Sequence, residues 1–385
     1  MLETNKRILL SSPHMSGNEQ KYIKEAFDTN WIAPLGPNVD QFEKDIATYA
    51  GTKGASVTSS GTAAIHLALD IIGVKQGDIV FCSSFTFIAS ANPALYLGAQ
   101  VTFIDSEPET WNMSPLALER ALHDAKKENN LPKAIVVVNL YGQPSKMDEL
   151  LDIANAYGVP IVEDAAESLG AEYKNKKSGS FGKIGIYSFN GNKIITTSGG
   201  GALVSNDENI LEKSRFLATQ ARDHAPHYQH SVVGYNYRMS NIVAGIGRAQ
   251  LEVLDVRVNS RRAIFDTYYS ELSTIQGIDF MPELKETKSN RWLTTLTINP
   301  DVIKLSPYEI MDKMNEVNIE TRALWKPLHM QPLFKNSKFY KHQENEEAIA
   351  DNLFTTGLCL PSGSNLKENE IDRVIRGLKK IVGSE

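Results

Sequence analysis

The chain has 385 residues, 42% of them hydrophobic and 22% charged, which is typical of a folded protein with one large core and room for a smaller second domain. Its 46 acidic and 40 basic side chains leave a net charge of −6, so the sequence offers no basic field for a nucleic-acid backbone and nucleic acid is not an expected partner. No segment approaches the ~20 apolar residues of a membrane span, and a membrane partner is not expected either.

The amino-terminal segment and the cysteines indicate the compartment. The first residues, MLETNKRILLSSPHMSGNEQ, contain no apolar region long enough for a secretion signal. Cys82 and Cys359 both lie in apolar stretches, which favours a reducing environment over a disulfide framework. We therefore expect a cytoplasmic protein.

From about residue 55 to residue 205, apolar runs of strand length alternate with amphipathic segments of helix length. The runs are ASVTSS, DIVFCS, VTFIDS, AIVVVNLYG and VPIVEDA, and helical patterns such as GTAAIHLALDIIG and KMDELLDIANAYG separate them. Several of these helices are expected to end at glycine, as at Gly73, Gly98 and Gly158. The alternation predicts an α/β fold with a mainly parallel sheet covered by helices.

The pattern changes near residue 257. Long charged helices, one antiparallel-looking strand in RWLTTLTINP and a terminal helix in KENEIDRVIRGLKKIV follow. We predict an amino-terminal segment and large domain over residues 1–256, and a smaller α+β domain over residues 257–385.

Three polar clusters are predicted at the carboxyl ends of strands, where open parallel sheets bind ligands. The first is TSSGT, residues 58–62, where the amides of Gly61 and Thr62 open a helix and can bind an anion such as phosphate. An ordinary N-cap turn, which needs only one hydroxyl, explains the same letters.

The second cluster is IVEDAAES, in which the strand ends with Glu163 and Asp164. Strand alternation sends one of these carboxylates inward, where it needs a cation or a protonated nitrogen to offset the cost of burial. Helix capping by the aspartate is the alternative.

The third cluster, SFNGNKIITTSGGG, places Lys193 and Ser188 among hydroxyls and glycines between two predicted strands. A lone lysine is usually a solvated surface residue. An anion cradle, an inward carboxylate and a lysine are, however, the components of a pyridoxal phosphate site, in which the lysine forms a Schiff base and an aspartate pairs with the pyridinium nitrogen. Phe87 of FTF could stack on the cofactor ring, although core packing explains it equally well.

The sequence also resembles the DegT/DnrJ/StrS family of nucleotide-sugar aminotransferases, over nearly its whole length. The resemblance rests on SSGTAAIHLAL, SSFTFIAS, VEDAAESLGA, YSFNGNKIITTSGGG and GYNYRMSNIVAGIGRAQL. It implies the aspartate aminotransferase fold, fold type I, in a homodimer with active sites shared across the subunit interface. It also implies pyridoxal 5'-phosphate (PLP), or its pyridoxamine form, as cofactor and L-glutamate as amino donor.

The resemblance assigns roles to individual positions. Lys193 and Asp164 would be the catalytic pair, with Lys193 bonded to PLP and later moving the proton, and Asp164 on the ring nitrogen. Ser188, Gly61 and Thr62 would hold the phosphate, with Asn236 of a partner subunit. Glu167, where many relatives carry glutamine or histidine, would lie near the 3-hydroxyl of the cofactor.

Substrate positions follow from the same resemblance. They are Ala33, Pro34, Leu35, Arg238, Arg322 and His329, of which the last two are expected near the pyrophosphate or at the surface. NWIAPLG, SNRWLTT, ETRALWKPLHMQ and Glu167 are most similar to enzymes that aminate UDP-4-keto-6-deoxy-N-acetylglucosamine on the route to N-acetylbacillosamine. Enzymes of the GDP-perosamine type share much of this pattern and remain the alternative.

The sequence argues against three further interpretations. His224, His227 and His230 are spaced three apart, but Pro226 argues against an aligning helix and no acidic or cysteine ligand lies beside them, so no metal is expected. A related sugar dehydratase carries histidine in place of the lysine, and Lys193 argues against it. A regulatory protein on the same scaffold has no need of a covalent lysine.

Overall fold

The computed structural model describes residues 6–383. Its helices are α1 (Glu19–Asp28), α2 (Pro37–Ala50), α3 (Gly61–Ile72), α4 (Asn92–Tyr96), α5 (Pro115–Lys127), α6 (Met147–Ala156), α7 (Glu208–Ala218), α8 (Asn241–Leu251), α9 (Leu254–Leu272), α10 (Pro307–Glu316), α11 (Ile349–Thr356) and α12 (Glu368–Val382). Its strands are β1 (Gly54–Thr58), β2 (Ile79–Ser83), β3 (Gln100–Ile104), β4 (Ala134–Val138), β5 (Ile161–Asp164), β6 (Glu172–Tyr173), β7 (Lys176–Lys177), β8 (Ile184–Ser188), β9 (Gly201–Ser205), β10 (Ile278–Phe280), β11 (Thr287–Lys288), β12 (Thr294–Ile298), β13 (Arg322–Ala323), β14 (Phe339–Tyr340) and β15 (Gly357–Leu360).

The large sheet has the order β1-β9-β8-β5-β4-β2-β3-β14. Strand β9 runs antiparallel to both of its neighbours, and the other pairs are parallel. Strands such as β4 are buried along their whole length because helices cover both faces of the sheet. The predicted α/β fold with a mainly parallel sheet is confirmed.

Strands β1, β8, β5, β4 and β2 point the same way, because β1 and β8 both pair antiparallel with β9 and the rest pair in parallel. The segments that follow these strands therefore meet at one edge of the sheet. This is the edge at which parallel sheets place ligands.

The second sheet has the order β10-β12-β15-β13 and is antiparallel. It shares a core with α9, α10 and α12 that includes Tyr268, Leu296 and Val374, and Ile8 of the amino-terminal segment joins this core. The strand predicted in RWLTTLTINP is β12, and the predicted terminal helix is α12. The boundary predicted between residues 256 and 257 falls inside α9, and the division into domains stays a prediction.

Several local predictions can be compared directly. Gly73, Gly98 and Gly158 each follow a helix with positive φ, as expected for left-handed caps. Cys82 and Cys359 are buried free thiols. Across residues 6–383, every helix is too short or too polar to cross a bilayer.

Candidate active site

A cavity of about 410 Å³ lies at the carboxyl edge of the large sheet. It brings together residues from all three clusters singled out in the sequence. The lining includes Gly61, Thr62, Asp164, Ser188 and Lys193. The polar strand ends therefore meet in one site, although Gly61 and Lys193 are 132 positions apart in the chain.

The first turn of α3 forms one wall of the cavity. The Ser60 hydroxyl caps the helix by accepting the Ala63 N–H at 3.0 Å, while the Ser60 carbonyl accepts the Ala64 N–H at 3.1 Å. The N–H groups of Gly61 and Thr62 precede the first intrahelical bond, as the leading amides of any helix do. The segment is thus both an N-cap turn and a place for an anion.

The main chain packs closely at this wall of the cavity. A Cβ built on Gly61 would lie 3.0 Å from Ser188 Cβ, and one built on Gly201 would lie 2.5 Å from the carbonyl carbon of Ser60. The glycines allow β8, β9 and the start of α3 to approach one another. The Ser188 hydroxyl is thereby brought beside the first amides of the helix.

Lys193 lies in the loop that joins β8 to β9. The loop is fixed by Phe189, whose N–H bonds to Gly200 and whose carbonyl accepts from Thr197, each at 2.9 Å. Ile194 and Ile195, directly after the lysine, are buried. The apolar anchors hold the main chain so that the lysine side chain reaches the cavity.

The amine of Lys193 has two close neighbours. Nζ donates to Glu167 Oε1 at 3.1 Å and lies 4.2 Å from the ring centroid of Trp292. The lysine side chain is only 13% exposed, so both contacts are largely protected from water. An amine held in this way can bond to a ligand or move a proton within the cavity.

Asp164 ends β5 and is buried. Its Oδ2 accepts the Ser90 hydroxyl at 2.7 Å and its Oδ1 accepts the Ala166 N–H at 3.1 Å. Burial raises the pKa of Asp164 above its ordinary value, while those two hydrogen bonds and the charge of Lys193 oppose the shift. A cation beside this carboxylate would offset the cost of its burial.

The neighbouring Glu163 points to the other side of the strand. Its carboxylate accepts the N–H groups of Gly179 and Phe181 and the amide of Asn139. Burial raises the pKa of Glu163, and these hydrogen bonds oppose the shift. They also satisfy the carboxylate inside the protein. Alternation along β5 therefore gives the cavity the aspartate, whereas the sequence pattern predicted only that one of the two carboxylates would face inward.

Glu167 lines the cavity one turn beyond Asp164. Its second oxygen, Oε2, accepts the N–H of Tyr141 at 2.9 Å. Burial raises the pKa of Glu167, and the charge of Lys193 opposes the shift. Glu167 thus faces both the lysine and the open cavity.

Aromatic side chains form another part of the cavity wall. Phe87 is 49% exposed and packs against Trp325 with ring centroids 5.2 Å apart, so a face of Phe87 is open to a ligand. Arg322 reaches the same cavity from β13 and is paired with Glu320 at 3.4 Å. The second sheet therefore contributes a cation to the rim of the site.

Six of the positions assigned by resemblance do not line this cavity within the chain. Ala33, Pro34 and Leu35 are exposed, as is Asn236, which forms an isolated bridge with Thr219. Arg238 pairs with the buried carboxylate of Glu43 and donates to Val57 O at 3.1 Å. Its guanidinium already has internal partners, and direct substrate binding by Arg238 stays a prediction.

His329 also has internal partners. Its Nδ1 lies 2.7 Å from Ser84 Oγ, its Nε2 lies 3.0 Å from Asp351 Oδ1, and its ring stacks on Phe339 at 3.6 Å. His329 does not line the cavity, and it links β2 to α11. Its place near the substrate pyrophosphate stays a prediction.

The three histidines of RDHAPHYQH lie in an exposed loop. His227 contacts Gln229, and His230 contacts the carbonyl of Gln220. In the part of the chain that the structure describes, no group of three or more His, Cys, Asp or Glu side chains is arranged to hold a metal.

Residue-by-residue reasoning missed Ser90 and the supporting role of Trp292 and Trp325. Ser90 follows Phe87 in a short 3-10 turn, where a serine has many ordinary roles. The two tryptophans stand in SNRWLTT and ETRALWKPLHMQ, which the resemblance singled out without giving either side chain a role. For the two tryptophans, a bulky aromatic residue beside a polar motif is the sequence feature that could have indicated a role in the site.

Fold and site together define a class of protein. The model of the DegT/DnrJ/EryC1/StrS aminotransferase family matches residues 13–379. The chain therefore belongs to this aminotransferase family, in agreement with the resemblance noted in the sequence.

Individual relatives narrow the comparison. The chain is 61% identical over 374 residues to a Bacillus subtilis (strain 168) protein named "Putative pyridoxal phosphate-dependent aminotransferase EpsN", covering 97% of this chain and 95% of that one. It is 36% identical over 378 residues to the GDP-perosamine synthase of Caulobacter vibrioides, covering 98% of both. A crystal structure of a DegT DnrJ EryC1 StrS aminotransferase from Brucella abortus matches with a TM-score of 0.88 at 26% identity, covering 95% of this chain and 96% of that one.

Proposed function

We propose that the chain is a PLP-dependent aminotransferase that moves an amino group from L-glutamate to the C4 keto group of a nucleotide-linked 4-keto-6-deoxy sugar. One observation carries the proposal: the amine of Lys193 and the carboxylate of Asp164 open into the same cavity as the first turn of α3. The name of the relative at 61% identity, which includes pyridoxal phosphate, supports the cofactor.

The donor set fits the cofactor. The amides of Gly61 and Thr62 and the hydroxyl of Ser188 would hold its phosphate, and Asp164 would hold its protonated ring nitrogen. Bound PLP supplies a ring that stores the electron pair released when a proton leaves the carbon bearing the amino group.

Three more side chains would complete the binding. Phe87 would cover one ring face, Glu167 would face the ring hydroxyl, and Lys193 would supply the amine to which the cofactor is attached.

The chain's own residues then perform the acid-base work. In the first half-reaction Lys193, once released, would take the proton from the donor carbon and give it to the cofactor carbon. In the second half-reaction it would move a proton from that cofactor carbon to the sugar carbon. Asp164 keeps a positive charge on the nitrogen beside it. Burial of both side chains excludes water that would compete for the proton.

The sugar nucleotide is the finer part of the proposal. SNRWLTT and ETRALWKPLHMQ contribute Trp292, Arg322 and Trp325 to the cavity, and these are motifs on which the resemblance to UDP-4-keto-6-deoxy-N-acetylglucosamine enzymes rests. We favour that substrate, and we retain the GDP-linked alternative because a GDP-perosamine synthase is 36% identical. Arg322 at the rim has the charge to contact a pyrophosphate in either case.

We also propose a homodimer with shared sites. Asn236 is exposed and away from this chain's own cavity, while Tyr228, Val232 and Val233 of the same loop are exposed apolar side chains. A patch of this kind favours a protein interface. A partner subunit would bring Asn236 to the neighbouring phosphate site, and Ala33 to Leu35 are exposed for a similar contact.

The experiment is a transfer assay with defined substrates. Purified chain with PLP and ¹⁵N-labelled L-glutamate is incubated with UDP-4-keto-6-deoxy-N-acetylglucosamine or with GDP-4-keto-6-deoxymannose, and the sugar product is analysed by mass spectrometry. We expect ¹⁵N at C4 of the UDP sugar and no product from the Lys193→Ala control. Faster transfer to the GDP sugar would show that the GDP-linked sugar, and not the UDP-linked sugar, is the preferred substrate. Transfer to neither sugar would refute the proposed function.

A further inference from the structure

The amine of Lys193 lies between two groups of different chemistry. Nζ contacts the Glu167 carboxylate at 3.1 Å and the face of the Trp292 indole at 4.2 Å from the ring centroid. We propose that Trp292 is a positioning residue whose ring face holds the Lys193 ammonium when the lysine is free of the cofactor and its amine carries a proton. The inference rests on the proposed function, in which Lys193 alternates between an attached and a free amine.

The indole of Trp292 is fixed in place. It is 1% exposed, and its Nε1–H donates to the carbonyl of Asn192, the residue before the lysine, at 2.8 Å. Its ring stacks on Tyr141 with an angle of 13° between the planes. The same side chain therefore fixes the main chain beside Lys193 and presents a flat face to its amine.

The backbone of Trp292 is held as well. Its N–H donates to Asn290 Oδ1 at 2.8 Å, and its carbonyl accepts from Arg261, a buried guanidinium of α9 that also donates to Ser11. These bonds join the segment before β12 to α9 and to the amino-terminal segment. The bond from Nε1–H to Asn192 joins it to the loop that carries the lysine, and a shift of the ring would break that bond.

Glu167 alone is a poor holder for a lysine that must move. Its carboxylate is already bonded to the N–H of Tyr141, and in the proposed function it also faces the cofactor hydroxyl. A hydrogen bond to Glu167 is directional and has to break before the amine can turn toward the reacting carbon. Attraction to an aromatic face is broad in direction and is stronger where water is excluded, as around this lysine.

The test uses cofactor-free protein and the reactivity of the lysine. Trace acetylation with acetic anhydride modifies only an uncharged amine, and peptide mass spectrometry gives the rate at each lysine. Removing the ring that stabilises the ammonium in Trp292→Leu should raise the rate at Lys193 by about fivefold at neutral pH relative to exposed reference lysines. Trp292→Phe keeps a ring face and should restore a rate near that of the unmodified chain.

The matched control is Trp325→Leu. Trp325 is an indole of the same cavity, but its ring packs on Phe87 and is not in contact with the Lys193 amine. The Trp325→Leu variant should leave the acetylation rate of Lys193 unchanged. An unchanged rate in Trp292→Leu would overturn the proposal. Equal increases in the Leu and Phe variants would also overturn it, because the bond from Nε1 to Asn192 would then be responsible.

Fluorinated tryptophan keeps the test decisive if Trp292→Leu does not fold. Fluorine withdraws electrons from the ring face and changes the shape of the indole little. Acetylation of Lys193 should rise with each added fluorine in the Trp325→Leu background, and a flat series would refute the cation–ring contact. Because no turnover is measured, failure of the ketosugar assay would refute the proposed function and leave this result unaffected.

Discussion

The hydroxyl of Ser90 donates a 2.7 Å hydrogen bond to Oδ2 of Asp164, and both residues are buried. Hydrogen bonds to buried charged groups contribute about 1.5–3 kcal/mol, and this one fixes the carboxylate that we assign to the cofactor nitrogen. Ser90→Ala should therefore slow transfer roughly tenfold or more with little change in the glutamate KM. The measurement is steady-state kinetics with the preferred ketosugar.

Thr86→Val is the matched control for this variant. It removes the next hydroxyl in the chain of bonds, 3.0 Å from Ser90, and leaves the contact between Ser90 and Asp164 in place. A Ser90→Ala enzyme with the turnover of the unmodified chain would show that the bond does not orient the carboxylate.

Lys193 is expected to be indispensable for turnover. Positioned acid-base catalysis contributes about 10²–10⁴-fold, so Lys193→Ala should lose nearly all transfer while it still retains pyridoxamine phosphate through Asp164 and the first turn of α3. Retention is measured by the absorbance of the desalted protein, and transfer by mass spectrometry. Near-normal turnover would remove Lys193 from its catalytic role.

Gly199, in the loop before β9, and Gly201, the first residue of β9, should respond very differently to substitution by alanine. A Cβ on Gly201 would lie 2.5 Å from the Ser60 carbonyl carbon, which is backbone and cannot yield easily, whereas the nearest atom to a Cβ on Gly199 is 4.0 Å away. We expect Gly201→Ala to destabilise the protein by about 1–3 kcal/mol and to weaken cofactor binding, and Gly199→Ala to do neither. Urea denaturation of both variants tests this, and equal midpoints would contradict it.

The meeting of Asp164 and Lys193 in one cavity could be predicted because polar residues at the ends of strands in an alternating pattern lie at one edge of a parallel sheet. The supporting residues could not. Ser90 and Trp292 reach the site through tertiary folding from segments 74 and 99 residues away from the side chains they contact, Asp164 and Lys193, and no local pattern predicts such contacts. The apolar sequence of β9 likewise does not predict that this strand runs antiparallel to its neighbours.

His329 illustrates a second limit of reasoning from sequence. Its letters in WKPLHMQP indicate a polar group beside aromatic residues, which is compatible with a ligand site. Whether its ring nitrogens are free depends on Ser84 and Asp351, which come from distant parts of the chain and bond to both. Sequence alone identifies a residue type at a position and does not reveal which partners already occupy it.

Mixed dimers can test the proposed sharing of sites. If Asn236 serves the phosphate site of the partner subunit, a dimer of one Lys193→Ala chain and one Asn236→Ala chain has both lesions in one site and none in the other. Such dimers should recover about half of the normal activity per dimer, although each parent dimer is impaired. Differential tags isolate the mixed species, and no recovery in proven mixed dimers would contradict the shared site.

The last prediction concerns the carboxylate of Asp164 in two different states of the protein. Without cofactor, burial raises its pKa above the ordinary 3.8, so ionisation costs the folded state stability as pH rises through the folded pKa. Asp164→Asn should therefore be more stable than the unmodified cofactor-free chain at pH 7, with the difference vanishing as the pH falls toward 3.8. In the cofactor-loaded enzyme the same substitution should be harmful to activity. Loss of the charge beside the ring nitrogen should slow both single-turnover half-reactions, with L-glutamate and with the ketosugar, by orders of magnitude. Urea denaturation between pH 4 and pH 8 measures the first effect, and stopped-flow absorbance measures the second. Unchanged rates in both half-reactions would show that Asp164 does not contact the ring, whereas an unchanged stability profile would show only that its burial in the cofactor-free protein is already compensated by Ser90 and Lys193.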